Sequence, residues 1–267
     1  MISAQDFLKA GDVTGTLAAL QAEVRLKPAD AKLRIFLFQL LCVTGEWKRA
    51  ITQLKLCADL DPLALPMAQT YREGIICEVY REKVFTGEKA PLIFGEPQEW
   101  VALLIEAVKA LASGKPVEAA ALRARAFDAA PPVTGELNDQ PFEWIADADM
   151  RLGPILEIII NGKYYWMPFS SIATLRCDPP ADLRDAVWTA ANLTLHNGGE
   201  CVALIPTRYA GTTAVGDAGS LLARATEWSD AGGETWVGTG QRLLTTDHGD
   251  VALMDLRSLR MDGADGR

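Results

Sequence analysis

Leu37-Phe38-Gln39-Leu40-Leu41-Cys42-Val43-Thr44-Gly45-Glu46-Trp47-Lys48-Arg49-Ala50, running on through Leu54 and Cys57 to Pro62, decides how the N-terminal half is read. Leu37 and Leu41 mark the face of one helix, and Ala50, Leu54 and Cys57 mark a second at helical spacing. Gly45 permits the tight reversal between them, and Pro62 ends the second helix because it cannot continue one. The stretch reads as a helical hairpin, with small residues where its two arms approach.

The same punctuation recurs. Gly11-Asp12-Val13 and Pro28 each precede Gly45-Glu46-Trp47 and Pro62 by 34 residues, which is the tetratricopeptide period. A third unit spans Trp100 to Pro131, with Gly114-Lys115-Pro116 at its turn and Ala119, Arg123 and Ala126 at the matching offsets, 69 residues after the second. The interval leaves room for a degenerate unit. There Gln69 to Phe85 reads as a helix with Tyr71, Ile75 and Val79 on one stripe, followed by a Gly/Pro-containing connection from Gly87 to Pro97. One such hairpin cannot bury both apolar faces, so neighbours must stack, and stacked hairpins build a concave surface that holds a peptide or helix of a partner. Consecutive amphipathic hairpins without a superhelix are the alternative, and they change the functional reading little.

After Pro131-Pro132 the texture changes to short β-branched and aromatic runs. Ile155 to Ile160, Asn161-Gly162, then Lys163 to Met167 is a β-hairpin signal, because Asn-Gly supplies the positive φ angles of a type I′ turn. Further strands are expected at Ile172 to Cys177, Ala190 to Leu195, Glu200 to Ile205, Arg242 to Thr246 and Val251 to Asp255, with a helical turn at Asp182 to Val187 and a short helix from Ala218 to Trp228. The fold class that follows is α+β. Residues 1–131 form a TPR-like superhelix, residues 142–260 a small antiparallel β-barrel-like domain, and residues 261–267 a disordered tail.

The 267 residues carry a formal charge of -9, which disfavours nucleic acid because phosphate recognition needs a basic footprint. No signal-peptide pattern opens the chain, and no apolar run approaches the roughly 20 residues of a membrane span. Cys42, Cys57, Cys77, Cys177 and Cys201 are an odd set with no CxxC pair, as expected of buried thiols in a reducing compartment, so a cytoplasmic location is expected.

Candidate chemistry is sparse. His196 and His248 lie beside Gly or Asn in expected turns and have no HxxxH or HExxH partner. Glu143, Asp147 and Asp149 could hold a hard cation, the basis of an alternative reading as a metal-dependent hydrolase, but they lack the turn of a calcium loop, and capping or pairing with Arg151 is the simpler role. No phosphate-binding glycine motif occurs in a strand-to-helix context. No cofactor is expected.

Trp166-Met167-Pro168, Pro179-Pro180, Leu183-Arg184-Asp185, Trp188 and Leu204-Ile205-Pro206-Thr207-Arg208-Tyr209 together resemble the ImpE/TagJ family. So do Glu143-Trp144-Ile145-Ala146-Asp147, Leu152-Gly153, Leu156-Glu157, Arg224 to Trp228 and Gly240-Gln241-Arg242. The resemblance implies a non-catalytic accessory protein of type VI secretion, acting on the cytoplasmic side. Its implied partner is the N-terminal helix of the small contractile-sheath subunit, and through that subunit a ClpV-type AAA+ ATPase. A purely structural, dimeric scaffold is a further option. Trp166, Arg184, Asp185, Trp188, Arg208 and Tyr209 are the candidate partner-binding residues, since aromatic and Arg clusters are enriched at interface hot spots. The competing role for them is internal, with Arg184 or Arg208 paired to Asp185 and Trp188 in the β core.

Overall fold

The computed structural model describes residues 3–215 and 217–263. Nine α-helices occur among the described residues: α1 (Ala4–Lys9), α2 (Val13–Leu26), α3 (Ala31–Val43), α4 (Trp47–Leu60), α5 (Leu65–Phe85), α6 (Glu99–Ala112), α7 (Pro116–Ala129), α8 (Thr212–Val215) and α9 (Ala218–Leu221). Asp12 caps α2 by accepting from the Gly15 amide at 2.7 Å, and Asp30 caps α3 by accepting from Lys32 and Leu33. The pairs α1–α2, α3–α4 and α6–α7 pack as hairpins. Their turn glycines Gly11, Gly45 and Gly114 have φ of +79, +73 and +74°, so each sits where a side chain is strained.

Gly45 and Gly114 differ in surroundings. A Cβ on Gly45 would lie 2.8 Å from Thr213, whereas one on Gly114 would meet nothing within 4 Å. Gly114→Ala is expected to cost about 1–2 kcal/mol from the left-handed backbone alone. Gly45→Ala should cost more in urea denaturation; equal losses would show that Thr213 does not constrain this turn.

The helix expected over Gln69 to Phe85 is the longer α5, and it stands without a hairpin partner of its own. Its inward stripe is Ala68, Ile75, Glu78, Arg81 and Val84, while Val79 is 39% exposed. The apolar stripe anticipated through Val79 is thus displaced, because α5 turns two charged residues toward the sheet.

Among the described residues fourteen strands follow one another as β1 (Leu92–Ile93), β2 (Gly135–Leu137), β3 (Gln140–Phe142), β4 (Ile145–Asp147), β5 (Ile155–Ile160), β6 (Lys163–Pro168), β7 (Ile172–Cys177), β8 (Trp188–Leu195), β9 (Glu200–Pro206), β10 (Thr226–Asp230), β11 (Trp236–Gly240), β12 (Leu243–Thr246), β13 (Gly249–Ala252) and β14 (Ser258–Met261). The main sheet runs β1-β6-β5-β9-β8-β7-β14-β2-β3, beside a three-stranded sheet β13-β12-β4 and a ribbon β10-β11. Only β1 pairs in parallel among the described strands.

The barrel-like closure expected from strand spacing does not form. The main sheet is open, ending in the two-residue β1 and in β3, which carries Pro141. Whereas β7, β8 and β14 expose one face at Arg176, Asn192 and Arg260, at β5 both faces of the sheet are covered, and the alternation along β5 shows how. Ile155 and Ile159 join a cluster with the helices, whereas Leu156, Ile158 and Ile160 join a second cluster with Phe142, Leu244 and Leu253. A strand buried on both faces has no polar side to alternate, and the sheet stays open because its edge strands β1 and β3 pair with β6 and β2 and not with each other.

Asn161 and Gly162 take φ of +49 and +70°, closing β5 and β6 as expected of Asn-Gly. Of the adjacent tyrosines, Tyr164 is buried on the helix side and Tyr165 is half-buried against Phe94 on the other. Three local expectations change. The helix anticipated through Trp228 stops at Leu221, and Thr226–Asp230 is strand. The strand expected at Val251 to Asp255 yields to a 3-10 turn from Leu253. In the expected tail, Met261 is buried and paired with Gly135, while residues 264–267 lie outside those described.

Candidate functional site

Glu157 sits on the helix-facing side of β5, between Ile155 and Ile159, and is fully buried. A carboxylate there must find cations. Arg81 of α5 forks onto it, Nε to Oε1 at 2.6 Å and Nη2 to Oε2 at 2.8 Å. Arg242, fully buried, donates to Glu157 with one guanidinium nitrogen and to Asp147 of β4 with the other. The Tyr164 hydroxyl also donates to Glu157, and Trp166 Nε1 donates to that hydroxyl at 2.8 Å.

The lattice spreads outward from this centre. Arg81 reaches Glu78 at 3.2 Å, and Glu78 accepts from Trp188 Nε1 at 3.2 Å. Arg208 donates to the carbonyls of Val43 and Leu221 at 2.7 and 2.6 Å and to that of Cys42 at 3.3 Å, placing a cation on the C-terminal end of α3. Asp149 accepts from Arg151 and from the Gly238 amide at 2.9 Å. Glu78, Asp147, Asp149 and Glu157 are thus paired with Arg81, Arg151 and Arg242, while the guanidinium of Arg208 is spent on backbone carbonyls.

Burial and pairing compete at each acid. At Glu157 burial opposes the charge, but Arg81 and Arg242 overcome it and hold the carboxyl well below its usual range. At Asp147 burial prevails over Arg242 and pushes the carboxyl up to about 7. Burial likewise raises Glu78 against the pull of Arg81, and lowers Arg208 to about 10. Beside Glu78, Arg81 and Arg208 lies a cavity of about 20 Å³, room for one water. The arrangement can hold the helices to the sheet.

The sequence-nominated residues divide. Trp166, Trp188, Arg208 and Tyr209 are buried, and the first three join the lattice. Tyr209 instead pins β12, its hydroxyl accepting from the Leu243 amide at 2.9 Å. Arg184 pairs with Asp182 and lies 4.9 Å over the Tyr71 ring, which in turn packs on Trp188 at 5.6 Å. Asp185 accepts from the amides of Ala181 and Asp182. Neither Arg184 nor Arg208 pairs with Asp185. Glu143 is exposed and away from Asp147 and Asp149, both held by arginines, and among the described residues no three His, Cys, Asp or Glu side chains converge as metal ligands.

Glu78 and Arg81 escape a sequence reading; Tyr164 enters only within an expected strand, and Glu157 and Arg242 only as parts of family-like stretches. The available signal is Glu157 itself, an acid in the middle of Ile155-Leu156-Glu157-Ile158-Ile159-Ile160. At the surface, Trp100, Phe127, Pro131, Pro132, Val133, Trp144 and Phe169 line a cleft of about 300 Å³ where α6 and α7 meet the sheets.

Residues 139–260 match the family model described as ImpE protein. The chain is also 51% identical, over 98% of its length and 92% of the relative's, to the type VI secretion system accessory component TagJ of Pseudomonas aeruginosa. The chain belongs to the ImpE/TagJ family. The crystal structure of protein VPA1032 from Vibrio parahaemolyticus is similar to it throughout, with a TM-score of 0.89 at 25% identity over 97% of each chain. The ImpE-matching span contains Asp147, Asp149, Arg151, Glu157, Arg208 and Arg242, so most of the lattice lies inside it, while Glu78 and Arg81 enter from the helices.

Proposed function

We propose that this ImpE/TagJ member is a non-catalytic adaptor of a type VI secretion system. In this reading it captures the N-terminal helix of the small contractile-sheath subunit and so influences sheath assembly or recycling by a ClpV-type AAA+ ATPase. The observation that carries the proposal is the near full-length identity to TagJ, named as an accessory component of that system. The buried lattice supports it physically. By tying α3 and α5 to β4, β5 and β9 it holds the surface in one arrangement, and a preorganised surface loses less entropy on binding.

The hairpins, with Gly11 and Gly45 one 34-residue period apart, act in this proposal as TPR-type units. The division at 1–131 and 142–260 is read as two units acting through one shared core. A cytoplasmic setting agrees with five free cysteines, and no described helix is long and apolar enough to cross a membrane.

The cleft around Trp144, 43% exposed, is the proposed seat for the apolar anchors of the helix, in the helix-in-groove mode. Arg184 and Asp185 are the nominated residues that a partner can touch without opening the core. Trp166, Trp188, Arg208 and Tyr209 contribute by shaping what lies beneath. Titrating the full chain with the sheath subunit's N-terminal peptide should give binding at tens of micromolar or tighter. Trp144→Ala should weaken it about tenfold, the range of a half-exposed aromatic anchor. Absence of binding would sink the adaptor reading, and binding unaffected by Trp144→Ala would move it to another face.

A further inference from the structure

The ribbon of β10 and β11 meets the lattice at one point, where the Gly238 amide donates to Asp149. Its register sets Trp228 opposite Gly238 and Asp230 opposite Trp236. Directly opposed residues share a face, as do residues two apart, so Trp228, Asp230 and Trp236 form one surface. Both indoles are partly exposed, Trp228 at 36% and Trp236 at 51%. Both are also held. Trp228 packs against the buried Tyr209 ring at 5.5 Å, and the backbone of Trp236 is pinned by Met150, whose amide donates to its carbonyl at 3.2 Å.

Charge decides what can cover this face. Residues 1–131 hold 16 acidic and 16 basic side chains, so the whole net charge belongs to residues 132–267, with 19 acidic and 10 basic. Glu227, Asp230 and Glu234 are exposed on the ribbon, and none of them forms an ion pair among the described residues. Arg123, the cation beneath, is committed to the Thr235 hydroxyl at 2.6 Å and to the carbonyls of Gly233 and Glu234. An indole face attracts a cation, and a carboxylate between two indoles adds an ion pair. A second copy fits badly, because pairing the exposed β10 edges would bring like charges together.

We propose that the Trp228–Asp230–Trp236 face docks a cationic segment of another protein, with a Lys or Arg side chain lying over the indoles and paired to Asp230. This does not rest on the sheath-helix reading, since it commits only to positive charge and uses a different surface from the Trp144 cleft.

The test is fluorescence anisotropy of the full chain with labelled Ac-Leu-Arg-Leu-Arg-Leu-Arg-NH2, with the Glu-for-Arg peptide as control. The Arg peptide should bind and the Glu peptide should not. Asp230→Lys and Trp236→Ala, each checked for an unchanged circular dichroism spectrum, should weaken binding at least about fivefold, the scale of one cation–π contact. Glu200→Lys changes net charge equally at the far end of β9 and should leave affinity within about twofold. Equal loss in Glu200→Lys, or no binding by the parent, overturns the proposal. Light scattering that shows self-association abolished by Trp236→Ala would overturn it too, by making the occupant a second copy.

Discussion

Glu157→Ala is expected to remove about 3–5 kcal/mol of stability, the cost of leaving buried charge uncompensated. Two guanidiniums depend on this one carboxylate. Arg81 uses both of its fork positions on it, and Arg242 divides itself between Glu157 and Asp147. Neither arginine can reach water by a small adjustment, since Arg81 is 4% and Arg242 0% exposed. Because whole domains are stable by only about 5–15 kcal/mol, the variant should lose most of its soluble yield or shift its urea midpoint far down. Glu157→Gln keeps the shape and an acceptor oxygen and should fall between parent and Ala. The surface pair Arg260–Glu136, 51% and 40% exposed, is the contrast. Glu136→Gln should change stability by less than about 1 kcal/mol. Denaturation of the three variants side by side checks the claim, and a Glu157→Ala loss as small as that of Glu136→Gln would show that the lattice does not hold the helices to the sheet.

That the same residues were hard to see in the sequence has a physical explanation. Features that act within a few residues are legible: Asn161-Gly162 announces its hairpin, and Gly11, Gly45 and Gly114 announce the helix reversals, since a positive φ is a local demand. The lattice is long-range. Arg81 and Glu157 stand 76 residues apart, and Arg242 stands 85 from Glu157. On α5 the apolar pattern favours Val79, yet Glu78 and Arg81 face inward because the sheet offers them partners that no helical period reveals. Two- and three-residue strands such as β1, β2 and β4 are equally illegible, as their pairing is decided by neighbours distant in sequence. Of the nominated cluster, the aromatic and Arg residues were recognisable as a set, but their side, core or surface, was not. Trp166 and Trp188 are fully buried while Trp144 and Trp236 are not, and composition gives all four the same weight.

Asp147→Asn is expected to flatten the pH dependence of stability between about pH 4 and pH 7. Asp147 is surrounded by Arg242, Asp149, Glu157 and the Tyr209 ring side, and burial lifts its carboxyl from 3.8 to about 7. A folded state that holds a proton more tightly than the unfolded chain is favoured where that proton stays bound. The contribution of Asp147 is therefore complete below about pH 4 and is lost as pH rises through 7, at up to about 1.4 kcal/mol per pH unit. Across the window this amounts to something on the order of 4 kcal/mol. Glu78, also raised by burial, acts in the same direction. Glu157 acts oppositely, because its carboxyl is held low; its contribution is present above the ordinary carboxylate range and lost only in stronger acid, outside this window. The parent should thus be more stable at pH 5.5 than at pH 8, and Asn, which cannot ionise but still offers Arg242 an oxygen, should narrow that difference. Urea denaturation at the two pH values reads it directly. An Asp147→Asn protein with the parent's full difference would mean that Asp147 is ionised throughout, and that Arg242 outweighs burial at this carboxylate as it and Arg81 do at Glu157.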